Sequence, residues 1–144
     1  MIDVLIIDNE NVLARHIDAE GVAMIVHNDQ IRALNAAELL KPDIIMLNYT
    51  VPANNTVEFI SLLCRVSEHS KIVLIAQDLA DDEIIDCLLA GAKGYLQINE
   101  MKNFINKLIP AIHAGEAWIT RRMVAKLIDR LLHRQVLQPS ITLG

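Results

Sequence analysis

The stretch KPDIIMLNYTVP, residues 41–52, decides the fold of this chain. Its apolar run, Ile44 to Leu47, follows Pro42, which a helix does not readily pass, and ends at the polar residue Asn48. A short apolar run bounded in this way is typical of a strand buried on both faces, as in a parallel sheet. We therefore predict a central parallel strand at 43–47.

Similar apolar segments recur on both sides of this strand, separated by stretches with helical periodicity. We predict the other strands at 2–7, 22–26, 71–75 and 94–97. The helices between and after them are predicted at 10–19, 29–40, 55–67, 81–90 and 100–114. Five strand–helix repeats within 144 residues predict one α/β domain with a flavodoxin-like, doubly wound, five-stranded parallel sheet.

A sixth helix is predicted after these repeats, beginning near Thr120. Apolar residues recur along it at spacings of three and four, and basic residues fill other positions. The chain would then divide into a domain at 1–116, a basic amphipathic extension helix at 117–135 and a linker at 136–144. The apolar stripe of this helix is a candidate self-complementary dimer surface. Its members are Met123, Leu127 and Leu131.

Charge is distributed unevenly along the chain, whose formal net charge is −5. Residues 1–120 contain eight basic and seventeen acidic side chains, whereas residues 121–144 contain five basic and one acidic. A net acidic domain lacks the basic face that nucleic-acid binding needs. Acidic residues cluster at 78–86, and we attribute this cluster to the positive end of a helix dipole rather than to a docking patch for a partner.

Composition also bears on the cellular setting. The two cysteines, Cys64 and Cys87, form no Cys-x-x-Cys pair, which argues against a thiol redox motif and a multi-cysteine zinc site. The first residues show no signal-peptide pattern, and no apolar run approaches the ~18 residues of a membrane span. We expect a cytoplasmic protein with no membrane partner and no bound metal.

The residues that follow the predicted strands are the candidates for a functional site. Ligands in open α/β sheets bind at the carboxyl ends of the strands, where side chains from several strands meet. In strand order these residues are Asp8, Asn9, Glu10, Asn48, Ala76, Gln77, Ile98 and Asn99. The set contains two carboxylates and no cation.

Four motifs around these positions resemble a known framework. They are VLIID at 4–8, PDIIMLN at 42–48, VP at 51–52 and AGAKGYL at 90–96. Together they resemble a bacterial response-regulator receiver domain of the NarL/LuxR type, over residues 2 to about 135. The resemblance implies a CheY-like fold and a place in two-component signalling.

The resemblance also assigns a role to each position at the strand ends. In that family an aspartate accepts a phosphoryl group, an acidic pair holds Mg²⁺, and a Ser/Thr and a Lys complete the site. Here Asn48 stands at the acceptor position and Asp8-Asn9 at the acidic pair. Ala76 stands at the hydroxyl position and Ile98 at the lysine position. Tyr95 resembles the family's switch aromatic.

These replacements predict a degenerate receiver. An amide at position 48 cannot form an acyl phosphate, and Ile98 has no ammonium group to stabilise a transferring phosphoryl group. Asp8 is the one carboxylate left in the nominal ligand set, and we expect Glu10, one residue beyond the acidic pair, to point elsewhere. We therefore expect no enzymatic activity, no Mg²⁺ and no histidine kinase partner.

The segment Trp118-Ile119-Thr120-Arg121 carries the single tryptophan of the chain. It resembles the Trp-hydrophobic-Ser/Thr-Arg motif of VpsT-like biofilm regulators, which bind cyclic di-GMP. An indole and a guanidinium could stack on a purine and bind a phosphate, so Trp118, Thr120 and Arg121 are candidate ligand residues. The alternative is that Trp118 packs the last two helices together, Thr120 caps the last helix, and Arg121 and Arg122 are solvated.

The leading hypothesis from the sequence is a phosphorylation-independent, receiver-like regulatory and dimerisation module of a LuxR-type bacterial transcriptional regulator. We expect a homodimer, with DNA bound through a helix-turn-helix domain that would follow residue 144. Two alternatives stay open: a cyclic di-GMP sensor acting through the Trp118–Arg121 motif, and a conventional phospho-receiver.

Overall fold

A computed structural model describes residues 1–136 as a five-stranded parallel sheet covered by helices on both faces. The strands are β1 (Ile2–Ile7), β2 (Val22–His27), β3 (Ile44–Asn48), β4 (Lys71–Ala76) and β5 (Gly94–Gln97). Their spatial order is β2-β1-β3-β4-β5, which is the doubly wound order. The predicted fold class is confirmed, and every predicted strand boundary is correct to within one residue.

Five α-helices accompany the sheet: α1 (Gln30–Leu40), α2 (Thr56–Val66), α3 (Asp81–Ala90), α4 (Met101–His113) and α5 (Arg121–Val136). They match the predicted helices at 29–40, 55–67, 81–90, 100–114 and 120 onward to within one residue at each stated end. The helical periodicity of these segments therefore predicts the five helices correctly.

The helix predicted at 10–19 is wrong, because this segment contains only a 3-10 turn at Ala14–His16. The chain first wraps around the carboxylate of Asp8, and Asn11 takes the left-handed conformation (φ 58°). The nine steps from Leu13 to Val22 must then span the length of β1, roughly 20 Å. Nine helical residues cover only about 14 Å. A more extended path is required, so the added C-terminal helix is the fifth α-helix rather than the sixth.

This connection is held to the domain although it is not helical. Leu13 and Ile17 are buried in the same cluster as the residues of α4. The side chain of Asn106 donates to the carbonyl of His16 (3.1 Å) and accepts from the backbone N–H of Asp18 (2.8 Å). The periodicity at 10–19 thus indicates burial of two side chains correctly, but not the backbone conformation.

Alternation along the strands divides the core into two layers. Val4 and Ile6 face α4 and the 8–21 connection, whereas Leu5 and Ile7 face α1 and α2. The buried members of both layers are non-aromatic except for Phe59 of α2. β3 is buried along its whole length, and β1 and β4 are buried toward their carboxyl ends, so these three carboxyl ends lie side by side in the core.

The C-terminal extension packs on the domain instead of projecting from it. Trp118 forms a bridge with Gly94: its N–H donates to the carbonyl of Lys93 (3.1 Å), and its carbonyl accepts from Tyr95 (3.0 Å). The segment at 117–120 is therefore an addition to the edge of the sheet at β5. The predicted linker at 136–144 lies, beyond its first residue, outside the described residues.

The predicted dimer stripe is split between two faces of α5. Met123 is 3% exposed and packs with Ile84 and Ile85 of α3, and Leu127 packs against the same cluster. Leu131 is 42% exposed. Met123 is thus unavailable to a second copy in this arrangement, since the amphipathic pattern is satisfied within the chain. Dimerisation itself stays a prediction.

No helix within residues 1–136 combines the length and the apolar character that crossing a membrane would require.

Candidate functional site

The carboxyl ends of β1 and β3 bring Asp8 and Asn48 together, as the sequence predicts. Both are buried, with exposures of 3% and 0%. The side-chain amide nitrogen of Asn48 donates to Oδ1 of Asp8 (2.9 Å) and to Oε1 of Glu10 (2.9 Å). One neutral amide group thus bridges two carboxylates.

The expectation that Glu10 points away from the site is wrong. The chain after β1 turns around Asp8, whose carboxylate accepts from the N–H groups of residues 10, 12 and 13, and the carboxylate of Glu10 reaches Asn48. A short turn between a strand and its next element does not follow the alternation of a strand, so counting residues misplaces this side chain. Glu10 is therefore a site residue whose direction the sequence analysis misplaced.

Asp8 is stabilised as a carboxylate by several donors. Burial alone would raise its pKa, but the N–H groups of Glu10, Leu13 and Val12 and the amide of Asn48 hydrogen-bond to it, and together they lower the pKa of Asp8 below its ordinary value. The backbone contacts are 2.8–2.9 Å long. Asp8 is thus an ionised group whose lone pairs are used within the protein.

The opposite side of the Asn48 amide is also occupied. Its oxygen accepts from the backbone N–H of Thr50 (3.2 Å), and the Thr50 hydroxyl lies 3.0 Å from it and 2.8 Å from Oδ1 of Asn9. Carboxylates on one side and an N–H donor on the other fix the orientation of the amide. Within residues 1–136 no buried side-chain nitrogen or oxygen lacks a partner, so the site is internally saturated.

These residues do not fit a magnesium ion, which the resemblance would place here. Mg²⁺ needs several converging oxygen ligands. The amide nitrogen of Asn48, a donor, lies against the two carboxylates, at the point where a cation would bind them. No group of three or more histidine, cysteine or acidic residues in the described part of the chain is arranged to hold a metal.

The other two positions provide no chemistry for a phosphate. Ala76 ends β4 with a methyl group, and Ile98 packs against the aliphatic layer under α4. The rim there is closed instead by Gln77, whose amide donates to Oε1 of Gln97 (3.2 Å) and accepts from the N–H of Asn99 (3.1 Å). Gln77 was among the residues identified at the strand ends, whereas Gln97 was not singled out, because an amide pair carries no motif.

Tyr95, the position of the switch aromatic, is half-buried beside this rim. Its hydroxyl lies 3.5 Å from the backbone carbonyl of Ala76, where the resemblance implies a side-chain hydroxyl. Burial raises the pKa of Tyr95, and the nearby charges of Asp78, Glu100 and Asp81 raise it further, against a backbone contact at Leu79 that lowers it. The ring is thus held by the main chain and lies in a negative field.

Tyr49, directly after Asn48, links the site to α3. Its hydroxyl donates to Oε2 of Glu83 across 2.5 Å. This hydrogen bond, followed by burial and the charge of Glu83, raises the pKa of Tyr49 to about 12. The sequence offered no signal for this contact, since the two residues are 34 positions apart.

The candidate ligand motif at 118–121 lies at a cleft of about 660 Å³ between α3, β5 and α5. Trp118 and Thr120 line the cleft, but Arg121 does not. Three carboxylates do, together with one guanidinium that is already paired with one of them; these residues are Asp78, Asp81, Glu100 and Arg122. Such a lining does not favour an anionic dinucleotide.

The packing alternative for this motif agrees with the structure in part. The rings of Trp118 and Phe104 of α4 lie 6.4 Å apart in a tilted arrangement, and Trp118 packs on the cluster that contains α4. The hydroxyl of Thr120 accepts from the N–H of Met123 (3.2 Å), so Thr120 caps α5. Arg121 is exposed, but the expectation that Arg122 is only solvated is wrong, because its guanidinium is paired with Asp81.

Comparisons with known proteins bear on the family. No family model matches the chain. It is 26% identical to the transcriptional regulatory protein LiaR of Bacillus subtilis over 139 residues, covering 92% of the chain and 66% of that protein. It is 29% identical to the nitrate/nitrite response regulator NarL of Escherichia coli over 103 residues, covering 69% and 46%. The chain thus spans two thirds or less of the length of these relatives.

Solved structures share the fold. The receiver domain of RcsB from Salmonella enterica superposes with a TM-score of 0.77 at 13% identity, covering 90% of this chain and 99% of that one. A LuxR-family response regulator from Aurantimonas superposes with a TM-score of 0.75 at 17% identity, covering 92% and 99%. The chain thus has the fold of a receiver domain, and its sequence is similar to those of the regulatory protein LiaR and the response regulator NarL.

Proposed function

We propose that this chain is a phosphorylation-independent regulatory module of a LuxR-type transcriptional regulator. The observation that carries the proposal is the amide of Asn48, which bridges Asp8 and Glu10 where a phospho-receiver needs a nucleophilic carboxylate and a cation. The module has no enzymatic activity of its own and needs no metal or other cofactor. A histidine kinase would find no acceptor here.

The balance of charge supports this reading. Aspartyl-phosphate chemistry requires an ionised nucleophile, and the neutral amide of Asn48 has no oxygen of that kind. It also requires positive charge to stabilise the transferring oxygens, which the aliphatic side chain of Ile98 does not supply. The fully hydrogen-bonded site instead maintains one conformation of the strand ends without any modification.

Relatives supply the setting of the proposal. One of them is named a DNA-binding transcriptional activator, DevR/DosR of Mycobacterium tuberculosis, and shares 23% identity over 142 residues. We place DNA binding in a part of the full-length regulator outside this acidic domain. The setting we propose is the bacterial cytoplasm.

A homodimer completes the proposal, and the exposed side of α5 is the surface we assign to it. Apolar side chains there are 38–54% exposed, namely Val124, Ile128, Leu131 and Leu132. A helix of 16 residues is about 24 Å long, so this contact is smaller than the ~800 Å² per partner of a stable dimer. We expect a weak dimer that depends on concentration.

Phosphorylation is tested by incubating the protein with acetyl phosphate and Mg²⁺ and measuring its intact mass. No stable mass gain is expected. A variant with all four groups restored, N9D, N48D, A76T and I98K, is the positive control. A mass gain on the natural sequence that disappears in Asn48→Ala would overturn the proposal.

The dimer is tested separately by light scattering over a range of concentrations. Ile128→Glu should yield a monomer at every concentration. Leu39→Glu, which changes an 82% exposed leucine of α1, is the matched control and should leave self-association unchanged. Equal behaviour of the two variants would remove the dimer surface from the proposal.

A further inference from the structure

The acidic cluster on α3 and the basic residues of α5 face each other. Arg122, Lys126 and Arg130 follow at steps of four along one side of α5. They meet the carboxylates of Asp81, Asp82 and Asp86 on α3 in four ion pairs. We call this set of six residues the ladder.

The charged groups of the ladder lie within 2.6–3.4 Å of each other in all four ion pairs. The ammonium of Lys126 lies 2.6 Å from Oδ2 of Asp81, and a guanidinium nitrogen of Arg122 lies 3.4 Å from the same atom. The guanidinium of Arg130 forks onto two carboxylates, at 2.8 Å to Asp86 and 3.2 Å to Asp82. The hydrogen bond from Lys126 is the main cause that lowers the pKa of Asp81, which is consistent with this arrangement.

Apolar packing beneath the ladder is limited. Met123 is the single side chain of α5 that is buried among the residues whose burial is described, and Leu127 is half-buried beside Leu88 and Leu89. A helix attached by one buried side chain depends on its remaining contacts more than the core helices do. An isolated helix of this length is marginal in water.

The spacing of the basic residues makes this dependence stronger. Like charges at i and i+4 on a helix repel each other and destabilise it. Three cations at successive steps of four therefore oppose α5 unless carboxylates neutralise them. In this structure α3 supplies those carboxylates.

The segment before α5 provides a fixed pivot. Trp118 is hydrogen-bonded to β5 through both its N–H and its carbonyl group. The backbone up to Trp118 thus stays with the sheet, and a movement of α5 would begin at Ile119 and Thr120.

We propose that α5 is a releasable strap, latched over α3 by the ladder. Loss of the ion pairs lets α5 move away from α3 about the pivot at residue 118. This movement exposes Met123 and the apolar side of α3, with Ile84 and Leu88. Whatever follows α5 in the full-length protein would change its position at the same time. This inference stands independently of whether the strand-end site can be phosphorylated.

The test is hydrogen–deuterium exchange measured by mass spectrometry on the whole chain. The double variant K126D/R130D should raise the exchange rate of backbone amides at 121–134 roughly tenfold, with the rates in α4 and β3 unchanged. Adding R122D, D81K, D82K and D86R should restore protection, because every ion pair of the ladder then re-forms with opposite polarity. Salt at about 1 M should raise exchange in the same segment, since the Debye length falls to about 3 Å.

Arg32→Asp is the control, because it breaks the local pair with Asp29 in α1 and should leave 121–134 unaffected. Unchanged protection in K126D/R130D would overturn the latch, and so would a variant with all six residues of the ladder swapped whose α5 exchanges as fast as that of the double variant. If exchange rises in α4 and β3 as well, the domain rather than the strap has opened, and the proposal also fails.

Discussion

The amide nitrogen of Asn48 lies 2.9 Å from Oδ1 of Asp8. This hydrogen bond occupies the place at which the resemblance to a phospho-receiver would put a cation. It needs no ion, and it holds β1 and β3 together at the buried end of the sheet. Because a carboxylate accepts hydrogen bonds and an amide N–H donates them, the contact depends on the neutrality of residue 48. The first prediction follows from that dependence.

Asn48→Asp should destabilise the protein at pH 7. The substitution places three carboxylates within hydrogen-bond distance, with no donor between them, and we expect a loss of about 1–3 kcal/mol in the free energy of unfolding. Thermal unfolding measures it. Asn54→Asp, at an exposed turn, is the control. Equal melting temperatures for Asn48→Asp and the natural sequence would contradict the hydrogen-bond arrangement.

Asp8→Asn should change the pH dependence of stability. The pKa of Asp8 is lowered in the folded state, so its contribution is complete above the ordinary value of 3.8 and is lost as the pH falls through the lower folded value. The natural protein should lose stability on acidification below about pH 4, and the variant should show a shallower loss. Urea unfolding at a series of pH values measures both slopes. Parallel slopes would show that Asp8 does not titrate as described.

Tyr49 should ionise near pH 12 in the folded protein. Absorbance titration of Tyr95→Phe, which leaves one tyrosine, measures its pKa directly. Glu83→Gln in that background should lower the pKa of Tyr49 toward 10, because the charged acceptor is removed. The contact stabilises the fold below the unfolded pKa and loses its effect as the pH rises through about 12. An identical titration in both variants would eliminate the contact with Glu83.

Cyclic di-GMP should give no binding heat with this chain at tens of micromolar ligand. The cleft beside Trp118 is lined by three carboxylates, which repel its two phosphodiester groups, and Arg121 lies outside the lining. Titration calorimetry is the measurement. Saturable heat that disappears in Arg121→Ala would reinstate the ligand reading of the motif at 118–121.

The sequence predicted the doubly wound fold class, all five strands and the five α-helices, because the segments that form them are long or strongly periodic. The helix at 10–19 failed because length across the sheet, not periodicity, governs that connection. The site was predicted from Asp8 and Asn48, since strand ends in a parallel sheet converge. Glu10 was wrongly expected to point elsewhere, because the chain after β1 turns around Asp8 and no longer follows the alternation of a strand.

The charge pattern shows the same division. Composition revealed an acidic cluster on α3 and basic residues beyond position 120, but assigned the first to a helix dipole. Their pairing requires α5 to lie beside α3 at a particular register. No local property of the sequence specifies that register. The spacing of Arg122, Lys126 and Arg130 at steps of four was the signal that could have suggested a charged partner surface.

By itself, the sequence determined the chemistry that this protein lacks and the class of its fold, because a missing carboxylate, hydroxyl or ammonium and a period of apolar residues are properties of individual positions and their neighbours. The tertiary structure alone decided which donors surround Asp8, where Glu10 points and which carboxylates neutralise α5. The contacts of Asn48 with Asp8 and Glu10, and the ion pairs between α3 and α5, join residues 38 to 48 positions apart. Such pairs come into contact only through the packing of the sheet and its helices, in which small changes of direction at single residues determine which groups meet.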